Sequence, residues 1–97
     1  MFARVHVLQT TPEQSEEGLR IFREQLQPWL RDASGYRGMI RLEDKESGRT
    51  LVITLWADQA SLDASHEAGE ELAKLTAENT GAKRLAVEQY EATLLDV

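Results

Sequence analysis

The 97-residue chain contains no cysteine, and this absence excludes several kinds of chemistry at once. Disulfide bonds, thiol nucleophiles, thiolate zinc sites and cysteine-ligated iron–sulfur clusters all need that side chain. No apolar run approaches the roughly 18 residues that cross a bilayer. The N-terminus lacks the basic region and apolar stretch of a secretion signal. We therefore expect a cytoplasmic protein that binds no membrane.

Positive charge is also scarce, because 11 Lys and Arg residues stand against 17 Asp and Glu residues. The resulting formal charge of −6 argues against DNA, RNA or an anionic membrane as a partner. The 2 prolines and 6 glycines are too scattered to mark a linker. Since 41% of the residues are apolar, the chain can build one core, and we expect a single domain over residues 1–97.

Start and stop signals divide the chain into alternating strands and helices. Thr11, Pro12 and Gln14 form the pattern of a capped helix start, and an apolar stripe follows at steps of three and four residues. Pro28 predicts a kink in this helix or a short second helical piece, and Gly35 ends it. The predicted strands are 2–9, 36–43, 49–56 and 83–95, and the predicted helices are 12–33 and one from the cap Asp58 to a stop at 79–81.

The order β-α-β-β-α-β predicts an α+β, ferredoxin-like fold: a four-stranded antiparallel sheet with both helices on one face. Gly48 supplies the turn of the central hairpin. The alternation in the second strand predicts that Tyr36, Gly38, Ile40 and Leu42 share one face.

Neither face of the predicted sheet is polar. Leu51, Ile53 and Leu55 alternate with Val52, Thr54 and Trp56 along one strand. Two helices cover only one face, so the other needs a cover, and a second copy of the chain about a two-fold axis supplies one. The alternative is a small protein that simply exposes some apolar residues. We expect a homodimer formed through the sheet face.

Two landmark motifs lie at the ends of the central strands. Tyr36-Arg37-Gly38 follows Ser34-Gly35, and the run LVITLW at 51–56 is followed by DQASL at 58–62. With the order of the elements, these motifs resemble the antibiotic-biosynthesis-monooxygenase-like group of dimeric α/β barrels over nearly the whole chain. The resemblance implies a homodimer with a pocket between each sheet and its own helices. It also implies oxygenation of anthrones or quinols with no metal, flavin or other cofactor.

Haem-degrading members of this group use an Asn on the first strand and a Trp and a His on the second helix. The matching positions here are His6, Ser65 and Leu75, so the resemblance does not extend to haem cleavage. Cofactor-free members tend to place an Asn near a Trp in the pocket. The only Asn in this chain is Asn79, at a predicted helix end.

His6 is the candidate catalytic residue, because a neutral imidazole in an apolar pocket can accept a proton from a phenol or an anthrone carbon. The alternative is a core or interface histidine bonded to the backbone. Trp56 is the candidate stacking partner for an aromatic substrate, or else an anchor for the second helix. The other predicted substrate-binding residues are Phe22, Trp29, Tyr36 and Ser65.

Other polar groups carry weaker hypotheses. His66 and Glu70 lie four residues apart on one predicted helix, but a metal site needs three or four converging ligands. We therefore expect a solvent-exposed helix face here and predict no metal. Arg37 and Arg41 can bind a carboxylate or pair with acidic neighbours across the strands.

The predicted function is that of a cofactor-independent monooxygenase acting on a small aromatic or polyketide-type substrate such as a quinol or anthrone. The alternative is a non-catalytic domain that binds a small apolar ligand or only assembles. A lyase or isomerase on the same fold is a third possibility.

Overall fold

The computed structural model contains four strands that form one antiparallel sheet. These are β1 (Phe2–Gln9), β2 (Tyr36–Asp44), β3 (Arg49–Trp56) and β4 (Lys83–Glu91), and they lie in the spatial order β2-β3-β1-β4. The first helical region contains α1 (Pro12–Ile21), a π-helical turn (Phe22–Leu26) and α2 (Gln27–Asp32), and the second contains α3 (Gln59–Ala64) and α4 (His66–Thr80). This order and pairing confirm the predicted α+β, ferredoxin-like fold.

The structure describes the backbone of all residues and most side chains. The side chains outside the description are those of Ala68, Leu72, Ala73, Leu75, Thr76, Ala77 and Asn79, all on α4. The comparisons drawn above for Leu75 and Asn79 therefore lie outside the described residues. None of the helices in the described part of the chain is long and apolar enough to span a membrane.

The predicted helix starts and chain turns are confirmed. The backbone N–H of Gln14 donates to Thr11 Oγ1 at 3.2 Å, and the Gln14 side chain accepts from the Thr11 N–H at 2.9 Å. Asp58 Oδ1 accepts from the Ser61 N–H at 2.8 Å. Gly35 and Gly48 adopt φ of 79° and 76°, the left-handed region that glycine enters without steric cost.

The distortion in the first helical region begins before Pro28. The helix widens into a π turn over Phe22–Leu26, where the N–H of Gln27 donates to the carbonyl of Phe22. A π turn contains one residue more than an α turn, so the following side chains are rotated back around the axis by roughly 100°. Leu30 is buried and Trp29 is half-buried, and both pack in the core region, as the periodicity predicts.

Two predicted boundaries are wrong. The second helix is broken at Ser65, so Asp58 caps only the short helix α3. The last strand ends at Glu91 instead of continuing to residue 95, and Leu94 and Val97 are exposed.

A bulge in β2 corrects the predicted face of Tyr36. Tyr36 pairs with Trp56 and Gly38 pairs with Leu55, so Arg37 is the extra residue. One extra residue moves the preceding side chain to the opposite face of a strand. Tyr36 therefore lies on the helix side, where its ring meets that of Trp56 edge to face at a centroid distance of 5.8 Å.

The helices cover one sheet face, which we call the inner face. A core cluster of Phe22, Leu30, Trp56 and Leu62 joins that face to both helical regions. The other face, here named the outer face, carries three cross-strand rows: Gly38-Leu55-Ala3-Tyr90, Ile40-Ile53-Val5-Glu88 and Leu42-Leu51-Val7-Ala86. Ile40 and Leu42 are 39% and 49% exposed there.

Candidate functional site

A cavity of about 100 Å³ lies between the inner sheet face and the helices. Its wall is largely apolar, and its polar lining comes mainly from the sheet. The lining includes Arg4, His6, Phe22, Trp29, Arg41, Thr54, Trp56 and Arg84. The cavity therefore brings together four of the six site residues predicted from the sequence, namely His6, Phe22, Trp29 and Trp56.

The other two candidates lie near the cavity without belonging to its lining. Tyr36 packs edge to face against Trp56 and does not line the cavity itself. Ser65 is buried behind Arg4, where its hydroxyl accepts a hydrogen bond from Arg4 Nη1 at 3.0 Å and donates to the carbonyl of Leu62 at 2.8 Å. Ser65 thus contacts a lining residue.

His6 lies in the middle of β1, directly between Val52 on β3 and Val87 on β4. Its pKa is lowered to about 4, chiefly by burial and in addition by the positive charges of Arg84 and Arg4, while the charge of Glu70 opposes them. The imidazole is therefore neutral at pH 7. Its Nδ1 atom is buried, and no described group forms a hydrogen bond with it.

Trp56 is both an anchor of the core and a wall of the cavity. Only 1% of the residue is exposed, and its Nε1–H donates to Thr54 Oγ1 at 3.0 Å. The indole N–H is thus already satisfied, so the ring face and edge are what Trp56 offers to a substrate.

Two arginines of the cavity, Arg4 and Arg84, were missed by the sequence reasoning. Arg4 is 4% exposed and donates to Ser65 Oγ and, at 2.8 Å, to the carbonyl of Leu62. Arg84 pairs with Glu70. The sequence did contain a signal for Arg4. Arg4 lies two residues before His6 on β1, and residues two apart on a strand share one face.

The other polar residues considered in the sequence analysis make ordinary structural contacts or are exposed. Arg41 lines the cavity and pairs with Glu43, whereas Arg37 is exposed and does not share a site with it. Glu70 bonds Arg84, whereas His66 is exposed. No group of three acidic or histidine side chains with metal-site geometry occurs among the side chains that the structure describes.

The lowered pKa of His6 predicts a pH-dependent stability. Below about pH 6.5 the unfolded chain binds a proton at this position, and the folded chain does not until about pH 4. Stability is therefore complete above the unfolded pKa and is lost as the pH falls toward the folded one. We expect wild type to lose up to about 3 kcal/mol more than His6→Gln between pH 7 and 4 in urea unfolding.

The second histidine supplies the control for this measurement. His66 is exposed, so His66→Gln is expected to follow the wild-type pH profile within about 0.5 kcal/mol. Parallel profiles for wild type and His6→Gln would contradict a buried, neutral imidazole.

The sheet order, the helices on one face and the cavity between them define a ferredoxin-like α+β domain with a ligand-sized pocket. The chain belongs to the antibiotic biosynthesis monooxygenase family, whose sequence model matches residues 1–82. No protein with a curated function matches the chain.

Several solved structures share the fold. A Deinococcus radiodurans protein assigned to the antibiotic biosynthesis monooxygenases is 18% identical, with a TM-score of 0.73 and coverage of 100% of this chain and 97% of that one. SnoaB from Streptomyces nogalater, a cofactor-independent oxygenase solved as a point mutant, is 10% identical, with a TM-score of 0.72 and coverage of 97% and 94%. The Streptomyces coelicolor monooxygenase from the gene ActVA-Orf6, solved with Nanaomycin D, is 13% identical, with a TM-score of 0.66 and coverage of 99% and 92%.

Proposed function

We propose that this chain is a monooxygenase that needs neither metal nor flavin and oxidises a small aromatic substrate, such as a quinol or anthrone, inside the cavity. The observation that carries the proposal is that His6 and Trp56 line one apolar cavity. Membership of the family supports it, as does structural similarity to a cofactor-independent oxygenase.

The chemistry assigns His6 the first step. The neutral imidazole accepts a proton from an acidic carbon or phenol of the substrate, and the resulting anion is electron-rich enough to reduce O₂. For an anthrone-type CH₂ group, one oxygen atom becomes the carbonyl oxygen, and the other leaves as water with the two hydrogens of that carbon. Trp56 and Phe22 hold the ring in place, and the apolar wall excludes bulk water from the reacting anion.

The outer sheet face supports a homodimer as the working form. Its central rows are apolar from β2 through β1, and Ile40 and Leu42 are exposed on it. Exposed apolar patches of this kind mark interaction sites on small proteins. We propose that two copies pack through this face, which leaves each cavity on the far side of its own sheet. The cytoplasmic location stays a prediction from the sequence.

Oxygen consumption tests the proposed activity. Wild type is expected to consume O₂ with dithranol or a substituted hydroquinone faster than spontaneous oxidation, as measured with an oxygen electrode, and EDTA is expected to leave the rate unchanged. His6→Ala is expected to lower this rate by about 10²–10⁴-fold, the usual contribution of a positioned base. His66→Ala, which changes the exposed histidine, is the matched control and keeps the rate.

The low pKa of His6 favours one second candidate, a domain that binds a small aromatic ligand without converting it. An imidazole with a pKa of about 4 is a weak base in the absence of a ligand. Saturable binding of the quinols with no O₂ consumption above background, unchanged in His6→Ala, would select this candidate and overturn the oxygenase.

A further inference from the structure

Arg4 carries a buried positive charge, and no carboxylate among the described side chains contacts it directly. Its guanidinium bonds one hydroxyl and one carbonyl, both neutral acceptors, and Asp63 and Glu70 act on it only through their charges at longer range. Burial lowers the pKa of Arg4, and a buried charge is costly unless an opposite charge and hydrogen bonds compensate it. Within the described side chains, Arg4 Nε has no hydrogen-bond partner.

Arg84 and His6 also contain buried nitrogen atoms that form no hydrogen bond with any described group. One guanidinium nitrogen of Arg84 pairs with Glu70, but the other, Nη1, is buried with no bond to any described group. His6 Nδ1 is the third such atom. Buried polar atoms without partners are few in native proteins, and each calls for an explanation. Here all three belong to residues that line one cavity.

The sheet register places these three residues together. Arg4 and His6 lie two positions apart on the inner face of β1, roughly 7 Å along the strand. Arg84 on β4 is directly opposite Leu8, which makes it a diagonal neighbour of His6. Along the strands, Arg4 thus lies on one side of His6 and Arg84 on the other, and the positive charges of both act on the imidazole.

We propose that Arg4, His6 and Arg84 form an oxyanion subsite of the cavity, which binds the carboxylate or ionised phenol of an aromatic substrate. An oxyanion accepts charge-assisted hydrogen bonds from guanidinium groups, and a neutral imidazole adds one donor in the appropriate tautomer. The opposite cavity wall, with Phe22, Trp29 and Trp56, takes the ring. The subsite rests on the proposed function, since it belongs to the same cavity and assigns the substrate an acidic group.

The subsite also changes what His6 can do. Burial and two positive charges lower the pKa of His6, and a bound oxyanion offsets the effect of the charges. The imidazole becomes a stronger base when the ligand is bound than when it is absent. The same charges stabilise the anion that forms when the substrate loses its proton.

Ligands that do not react with O₂ test this subsite independently of the oxygenase activity. Benzoate, 2,4-dinitrophenol and the neutral isostere benzamide are titrated into the intact protein by isothermal calorimetry. Wild type is expected to bind benzoate at least about tenfold more tightly than benzamide, the scale of one charge-assisted hydrogen bond. Dinitrophenol tells whether an ionised phenol binds as a carboxylate does, and the subsite is wrong if both anions bind no better than benzamide.

Variants of the arginines locate the anion. Arg84→Gln is expected to abolish the preference for benzoate, and Arg84→Lys to restore part of it. Arg41→Gln is the matched control, because Arg41 lines the same cavity but is held by Glu43 and Ser15. A preference that survives in Arg84→Gln or disappears in Arg41→Gln would overturn the assignment.

A measurement on wild type covers the case in which a substitution at Arg4 does not fold. The chain has only 2 histidines, so the ring protons of His6 can be followed by NMR through a pH titration. Saturating benzoate is expected to raise the pKa of His6, and benzamide is not. An unchanged His6 titration in the presence of bound benzoate would place the anion elsewhere, whether or not the protein consumes O₂.

Discussion

Replacing Trp56 with alanine is expected to lower the free energy of unfolding by about 3–5 kcal/mol, a large part of what a small domain has. Only 1% of Trp56 is exposed, and it contacts the core cluster on one side and the cavity on the other. The substitution removes the edge contact with Tyr36 and leaves Thr54 Oγ1 without its donor. Urea unfolding followed by circular dichroism measures the loss.

Two variants separate the parts of this effect. Trp56→Phe keeps an aromatic ring beside Tyr36 but loses the Nε1–H bond to Thr54, so a loss of about 1–2 kcal/mol is expected. Trp29→Ala removes the other tryptophan of the cavity wall, which is only half-buried, and is expected to cost less than Trp56→Ala. Equal losses for Trp29→Ala and Trp56→Ala would contradict the role of Trp56 as the anchor.

Ile40→Glu is expected to convert the proposed dimer into a folded monomer. Ile40 pairs with Ile53 on the outer face, so a glutamate there places a charge between two apolar surfaces, and two-fold symmetry places it there twice. An unpaired buried charge costs several kcal/mol, so the dissociation constant should rise at least about 100-fold. Sedimentation equilibrium across a range of protein concentrations measures it.

The control for this substitution adds the same charge elsewhere. Gln25 is exposed in the π turn on the helix side, so Gln25→Glu is expected to leave the dissociation constant within about twofold. Circular dichroism must show native secondary structure in both variants. A wild-type chain that sediments as a monomer at all concentrations, or an Ile40→Glu dimer as stable as that of Gln25→Glu, would refute the proposed interface.

The element order was predictable because each boundary has its own local chemistry. The Thr11 capping box, the Asp58 cap and the turn glycines Gly35 and Gly48 each act over a few neighbouring residues, which is a range that sequence displays directly. Alternation likewise assigned His6 to one face of β1 and Thr54 and Trp56 to one face of β3, and the pairing of the two strands shows that these faces are the same.

The features that escaped prediction depend on register between segments. The bulge at Arg37 is defined by how β2 pairs with β3, and it moves Tyr36 to the face of Trp56. The π turn shifts every later residue of its helical region around the axis, although the apolar spacing reads as one regular stripe. The burial of Arg4 was not predicted, because its hydrogen-bond acceptors on Ser65 and Leu62 lie far along the chain and cannot be read from the strand itself.

Because of the cavity, the stability of this protein also depends on which small molecules are present in solution. An unfilled apolar volume costs roughly 24 cal/mol per Å³, so about 100 Å³ lowers the stability of the fold by about 2 kcal/mol. A compound that fits the cavity recovers part of that cost, and at 100 times its dissociation constant it adds about 2.7 kcal/mol. For a domain of this length the gain corresponds to a rise in melting temperature of roughly 10 °C or more. Melting the protein in the presence of metabolite mixtures can therefore identify a compound that binds the cavity.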